Sequence, residues 1–173
     1  GGLNYASAGQ GSITHLAAEL FAYKAGIKLT HVPYKGTTQA TTDVMSGQIP
    51  MMFSGVNAVA PQIREGKLLG LAVGGTTRSP LLPNVPTMAE AGVPGYEFVT
   101  WHGLLAPQAT PRPITTLLNE RIKKFLTAPN EAKLWRDRGL DIVASTPEQF
   151  GAHLYSEQQK WGKVIRERGI KAE

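Results

Sequence analysis

Apolar positions in the first half of the chain alternate between short runs and helical periods. Residues 3–7, Leu-Asn-Tyr-Ala-Ser, read as a strand. After a Gly-rich turn, Ile13, Leu16, Ala17, Leu20 and Phe21 recur at helical spacing and predict one apolar face. Gly26 fits the left-handed position just past the end of that helix. Residues 29–34 predict a second strand, and Thr37 or Thr38 can cap a helix through Met45 that Gly47 stops. Residues 49–53 predict a third strand, placed at an edge or a strand start by Pro50. A helix over 57–65 ends at Gly66, and 68–73 predicts a fourth strand. This βαβαβαβ order implies a parallel sheet covered by helices, with right-handed crossovers.

Beyond residue 78 the pattern changes. Three prolines between 80 and 86 exclude regular structure there, and Thr87 starts a short helix that ends near Gly92. Residues 96–105 form a long extended run, with Trp101 read as core or hinge packing rather than a cofactor platform. Thr110 caps a helix with Pro111 at its first position and a stripe of Ile114, Leu117, Leu118, Ile122, Phe125 and Leu126. Residues 141–144 predict a short strand. Thr146-Pro147-Glu148-Gln149 is a capping box, opening a helix with Phe150, Leu154, Trp161 and Ile165 inward until Gly169. The first 95 residues thus read as a complete α/β unit. Residues 108–173 read as the tail of a second domain whose beginning is missing, because their apolar stripes lack a sheet to cover. The stripes Ile114/Leu118/Phe125 and Phe150/Leu154/Trp161 then favour self-association.

Composition narrows the function classes. With no cysteine among 173 residues, disulfide scaffolds, thiolate zinc sites and cysteine nucleophiles are excluded, while the compartment stays open. No apolar run reaches membrane-spanning length. The chain starts without Met or a basic-then-apolar leader, so the expectation is a removed leader or an excerpt of a longer protein. Net charge is +5, concentrated after residue 98, where twelve Lys/Arg face eight Asp/Glu. Those cations alternate with acids on helical stretches, which reads as solvated faces and not as a nucleic-acid stripe.

The strongest chemical feature is Ser7-Ala8-Gly9-Gln10-Gly11-Ser12, between a strand and a helix start. Glycines admit close backbone approach, and the first helical amides and the helix dipole favour an anion. Ser7 and Ser12 add hydroxyls. The alternative is a capped helix after a tight turn. The loop is no dinucleotide fingerprint: the sixth position after Gly9-Gln10-Gly11 is Thr14, and the second strand ends in Tyr34-Lys35 instead of an acid. A Rossmann-like transferase or dehydrogenase therefore lacks its signature, and no cofactor, metal or catalytic residue is expected. His15, Ser54 and Asn57 are further candidates at the same sheet end, Asn57 alternatively as a helix cap.

These residues carry a resemblance. Residues 3–11, His15-Leu16-Ala17-Ala18-Glu19-Leu20-Phe21, His31-Val32-Pro33-Tyr34-Lys35-Gly36, Pro83-Asn84-Val85-Pro86-Thr87-Met88 and Trp101-His102-Gly103 are similar to the periplasmic substrate-binding receptors of tripartite tricarboxylate transporters, the Bug family. The resemblance runs in order along the whole chain. It implies a periplasmic-binding-protein-like α/β clamshell, with 1–95 as the second lobe, 96–107 as a hinge-crossing strand and 108–173 as the returning part of the first lobe. The family's N-terminal stretch would be absent. It further implies a periplasmic location, a small carboxylate ligand and membrane permease subunits as partners, with a ligand sensor for a signalling partner as the alternative. The ligand carboxylate falls on Ser7, Gly9, Gln10, Gly11 and Ser12, with His15 behind, and a second contact falls near Ser54 and Asn57. Many members carry an acid followed by Asn at that second contact. This chain has Ser54 and Gly55, so plain carboxylates are expected over amino acids.

Overall fold

The computed structural model describes residues 2–170. Its regular elements, in chain order, are β1 (Leu3–Ser7), α1 (Ile13–Ala25), β2 (Leu29–Pro33), α2 (Thr37–Met45), α3 (Val56–Arg64), α4 (Arg112–Leu126), α5 (Pro129–Asp137) and α6 (Pro147–Arg168). Residues 2–100 pack with 163–170 as one unit, and Trp101–Gly162 form another. The division falls inside the 96–107 run.

In the first unit β1 and β2 are parallel, with Tyr5 opposite His31 and Ser7 opposite Pro33. The expected helix over α1 is present, and Gly26 adopts the left-handed conformation past its end (φ 66°). The buried face of α1 differs from the expected stripe. Ile13 is exposed, while Thr14, His15 and Glu19 are buried beside Ala17, Ala18 and Leu20. Those polar side chains are tolerated because each has a partner, as described below.

The third and fourth strands do not form. The N–H groups of Gln48 and Ile49 both go to the Asp43 carbonyl in the turn after α2, and Pro50 has no N–H to give. The run joins β1 only where Ala6 N–H meets Met51 O at 2.9 Å. In 68–73, Leu68 N–H is held by Gln62 O, and Leu69 and Leu71 stand exposed. Only Val73 pairs, exchanging hydrogen bonds with Pro86 O and Met88 N–H of the stretch expected to be irregular. Val73, Leu82, Val85 and Ala60 make a small core there, against which Val56, Ile63 and Leu81 pack. Thr87 and Glu90 exchange capping hydrogen bonds, but only a single turn follows, not a helix.

The expected caps shift by a residue or two. Gly36 precedes α2, Gly55 precedes α3 and Pro111 precedes α4, so Thr37 and Asn57 lie within helices and Thr110 outside.

The 96–105 run is extended without strand pairing, held at Phe98 N–H to Gly74 O (2.9 Å). In the second unit Trp101 meets Phe150 and His153 edge-on and donates to Glu157. The expected strand over 141–144 is absent, with Ala144 at φ 46° and Val143 exposed. α5 was not anticipated. Its signal is Pro129 at the first helical turn with Glu131 behind it. The Thr146–Gln149 capping box forms as read, each residue's N–H meeting the other's side chain. Along α4, Ile114, Leu118 and Phe125 are exposed.

Candidate anion loop

All eight predicted site residues lie in the first unit. β1 delivers Ser7 to the loop, where Tyr34 N–H closes the ladder on Ser7 O at 3.1 Å. Gly9 has φ 134° and Gly11 φ 70°, conformations that glycine reaches without a side-chain clash. A Cβ on Gly9 would also lie 3.2 Å from Tyr34 O. The sequence thus puts glycine where the loop doubles back against β2.

Most polar groups of the loop are engaged within it. Ala8 N–H donates to Thr14 Oγ1 (2.8 Å), Gly9 N–H to Ser7 Oγ (3.0 Å) and Gly11 N–H to His15 Nδ1 (3.0 Å). Ser12 N–H donates to Gly9 O (3.2 Å), and Ser12 Oγ caps α1 by accepting from His15 N–H at 3.3 Å. Ser7 is fully buried, with Gly9 O at 3.1 Å and His31 Nε2 at 2.6 Å from its hydroxyl oxygen. Two things remain for a ligand. The N–H groups of Ile13 and Thr14 open α1 without intrahelical acceptors. Ser12 and Thr14 Oγ1 share one hydrogen bond at 3.0 Å, so one of the two hydroxyls keeps a proton to donate.

Behind the loop the His15 and His31 rings stack with centroids 3.9 Å apart and 8° between planes, and Tyr5 stacks on His31 at 5.0 Å. Because Gly11 N–H donates to His15 Nδ1, neutral His15 holds its proton on Nε2. Burial pushes the His31 imidazole down to about 4, with the neighbouring His15 adding to it and Glu19 partly offsetting. Burial also lowers His15, opposed by Glu19. Beneath them Glu19 accepts from Tyr5 Oη at 2.9 Å and from Arg168 Nε at 2.7 Å. Burial, then the Glu19 hydrogen bond, raises the Tyr5 phenol.

Ser54 and Asn57 flank the start of α3. Ser54 Oγ is sealed from solvent and finds no hydrogen-bond partner among the described residues. Asn57 is exposed, and its Oδ1 lies 3.0 Å from where a Cβ on Gly55 would stand. In the second unit a cavity of about 270 Å³ is lined by Thr127, Ala132, Arg136, Leu140, Asp141 and Ile142, none of them a predicted site residue.

Sequence reading missed His31, Glu19, Tyr5, Thr14 and Arg168 as parts of this site. Strand alternation contained one signal: once β1 and β2 are parallel neighbours, Tyr5, Ser7 and His31 share a face. Helical spacing contained another, since His15 and Glu19 stand four residues apart. Arg168 is 149 residues from Glu19 and left no local trace.

The sequence pattern of the group described as "Tripartite tricarboxylate transporter family receptor" matches residues 1–170. Among curated relatives, the UPF0065 protein in the tcbD-tcbE intergenic region of Pseudomonas sp. (strain P51) is 38% identical over 173 residues, covering 99% of this chain and 52% of the relative. Among solved structures, R. palustris Rpa4515 with adipate superposes with a TM-score of 0.84 at 35% identity, over 97% of this chain and 56% of that one. Periplasmic binding protein BugD superposes with a TM-score of 0.81 at 29% identity, over 99% of this chain and 58% of that one. The chain spans about half the length of these proteins, and its α/β fold is that of periplasmic binding proteins. By the extent of the pattern, the chain belongs to the tripartite tricarboxylate transporter receptor family.

Proposed function

We propose that this chain forms part of a solute receptor that captures a small carboxylate in the periplasm and presents it to membrane permease subunits, without catalysing a reaction. The observation behind this reading is the loop of residues 7–12, held open at the start of α1 by its own hydrogen bonds. A carboxylate placed there meets the Ile13 and Thr14 amides and the Ser12 hydroxyl, with the positive end of the α1 dipole behind them. Gly9 and Gly11 keep side chains out of its path. Gln10 sits at the loop tip, and Ser7 and His15 brace the loop from below. Asn57, exposed in the first turn of α3, supplies the second contact, beside Ser54, whose hydroxyl finds no hydrogen-bond partner among the described residues. The adipate in the R. palustris relative supports a carboxylate as the ligand class. In this reading 1–95 belong to one lobe of a clamshell, 96–107 cross the hinge and the chain from 108 returns to the other lobe, except that the end of α6 packs back on the first, where Arg168 pairs with Glu19. The exposed apolar face of α4 would then pair with another protein surface, a second copy included.

Ser54 and Asn57 are neutral, so an ammonium group at the second contact would be buried unpaired, which is costly. Calorimetry on the full-length receptor is expected to show glutarate binding at least about tenfold tighter than glutamate, a difference of roughly 1.4 kcal/mol. Tighter binding of glutamate would refute the preference, and the absence of binding by any carboxylate would refute the function.

A further inference from the structure

Two imidazoles touch the anion loop, one at each end. His31 Nε2 lies 2.6 Å from Ser7 Oγ, and His15 Nδ1 accepts from Gly11 N–H at 3.0 Å. The rings are stacked face to face at 3.9 Å, so each fixes the plane of the other. We propose that His15 and His31 are positioning residues for the carboxylate loop: as a stacked neutral pair they hold Ser7 and Gly11 in place, and protonation of His15 releases Gly11. This deepens the carboxylate-receptor reading and rests on it for its consequence in binding, but the geometry exists without a ligand.

The two histidines answer a proton differently. Neutral His15 already carries hydrogen on Nε2, so a second proton must go to Nδ1. Two donors, Nδ1–H and the Gly11 N–H, would then face each other across a gap that held one hydrogen bond. At His31 either ring state completes the contact, because Ser7 Oγ both donates and accepts. The pair also resists full protonation, since two like charges within stacking distance repel.

Charged and titratable groups face the pair from three elements among the described residues. Glu19 lies on α1, Tyr5 on β1 and Arg168 on α6. Glu19 favours a charged imidazole, but its two oxygens are engaged by Tyr5 and Arg168. Burial outweighs it and lowers both histidines. The pair is therefore neutral at pH 7, and Gly11 is released only under acid conditions.

The test follows the Gly11 amide resonance of the ligand-free full-length receptor between pH 4 and pH 8, together with the His15 ring protons. In the parent protein the Gly11 amide is expected to titrate with the His15 midpoint, below the ordinary 6.5. In His15→Asn, Oδ1 takes the place of Nδ1 as a non-titrating acceptor, and the Gly11 signal should stay near its neutral-pH position throughout. In His15→Phe the signal should sit at the released position at every pH. A Gly11 amide that ignores the His15 titration, or that titrates equally in His15→Asn, would overturn the proposal. Should His15→Phe fail to fold, the comparison of parent and His15→Asn still decides. The readout needs no ligand, so failure of the carboxylate reading would show separately as absent binding in both proteins at pH 7.

Discussion

Gly9→Val should weaken carboxylate binding by roughly 10–100-fold and lower stability together. Gly9 sits at φ 134°, where a β-branched residue is strained, and its Cβ would press against Tyr34 O at 3.2 Å. Backbone strain of this kind costs about 1–3 kcal/mol. Relieving it means turning the Gly9 peptide, which breaks the contacts of Gly9 N–H and Gly9 O with Ser7 and of Gly9 O with Ser12 N–H. The loop then no longer leaves the Ile13 and Thr14 amides at the start of α1 clear for a carboxylate. Each 1.4 kcal/mol lost is tenfold in affinity, so a loss of roughly 10–100-fold is expected by calorimetry on the full-length receptor. Gly47→Ala is the control. It is also left-handed, at φ 77°, but with no atom within 4 Å of its added Cβ. It should lower the urea midpoint modestly and leave binding intact. Parent-level binding by Gly9→Val would contradict the role given to the loop.

Arg168→Met should be the most damaging single change remote in sequence from the loop. The Glu19 side chain is only 10% exposed and the Arg168 side chain 25%. Removing one partner of a buried pair leaves a charge without compensation, at a cost of about 3–5 kcal/mol in fully buried cases. Water can reach the partly open Arg168 position, so about 2 kcal/mol is the expected loss, or roughly 4–8 °C in melting temperature. The double variant Glu19→Leu/Arg168→Met removes the stranded carboxylate and should recover part of that loss. An unchanged melting temperature for Arg168→Met would show that Glu19 does not depend on the pair.

What could be read from the sequence was local. The α1 start, its Gly26 end and the Thr146 capping box depend on neighbours within a few residues, and each formed as expected. The third and fourth strands failed because strand formation needs a neighbour to pair with. Turn carbonyls had already taken the N–H groups at 48, 49 and 68, and no periodicity shows that. The Ser7–Ser12 loop stands out as a candidate because glycine, serine and a helix start coincide in six residues. Its support does not. His31 reaches Ser7 across the sheet, and Arg168 reaches Glu19 from the other end of the chain. An apolar-stripe reading of α1 also overlooks that Thr14, His15 and Glu19 are buried, since paired polar groups leave no hydrophobic pattern.

In the proposed receptor a carboxylate sits on the loop at the start of α1. Adding adipate to the isotope-labelled full-length receptor and following backbone amide resonances tests it most directly. Saturable shifts are expected, largest at Gln10, Gly11, Ser12, Ile13 and Thr14, with smaller ones at Ser54 and Asn57. Adipate binding that leaves the amides of residues 10–14 unmoved would contradict it.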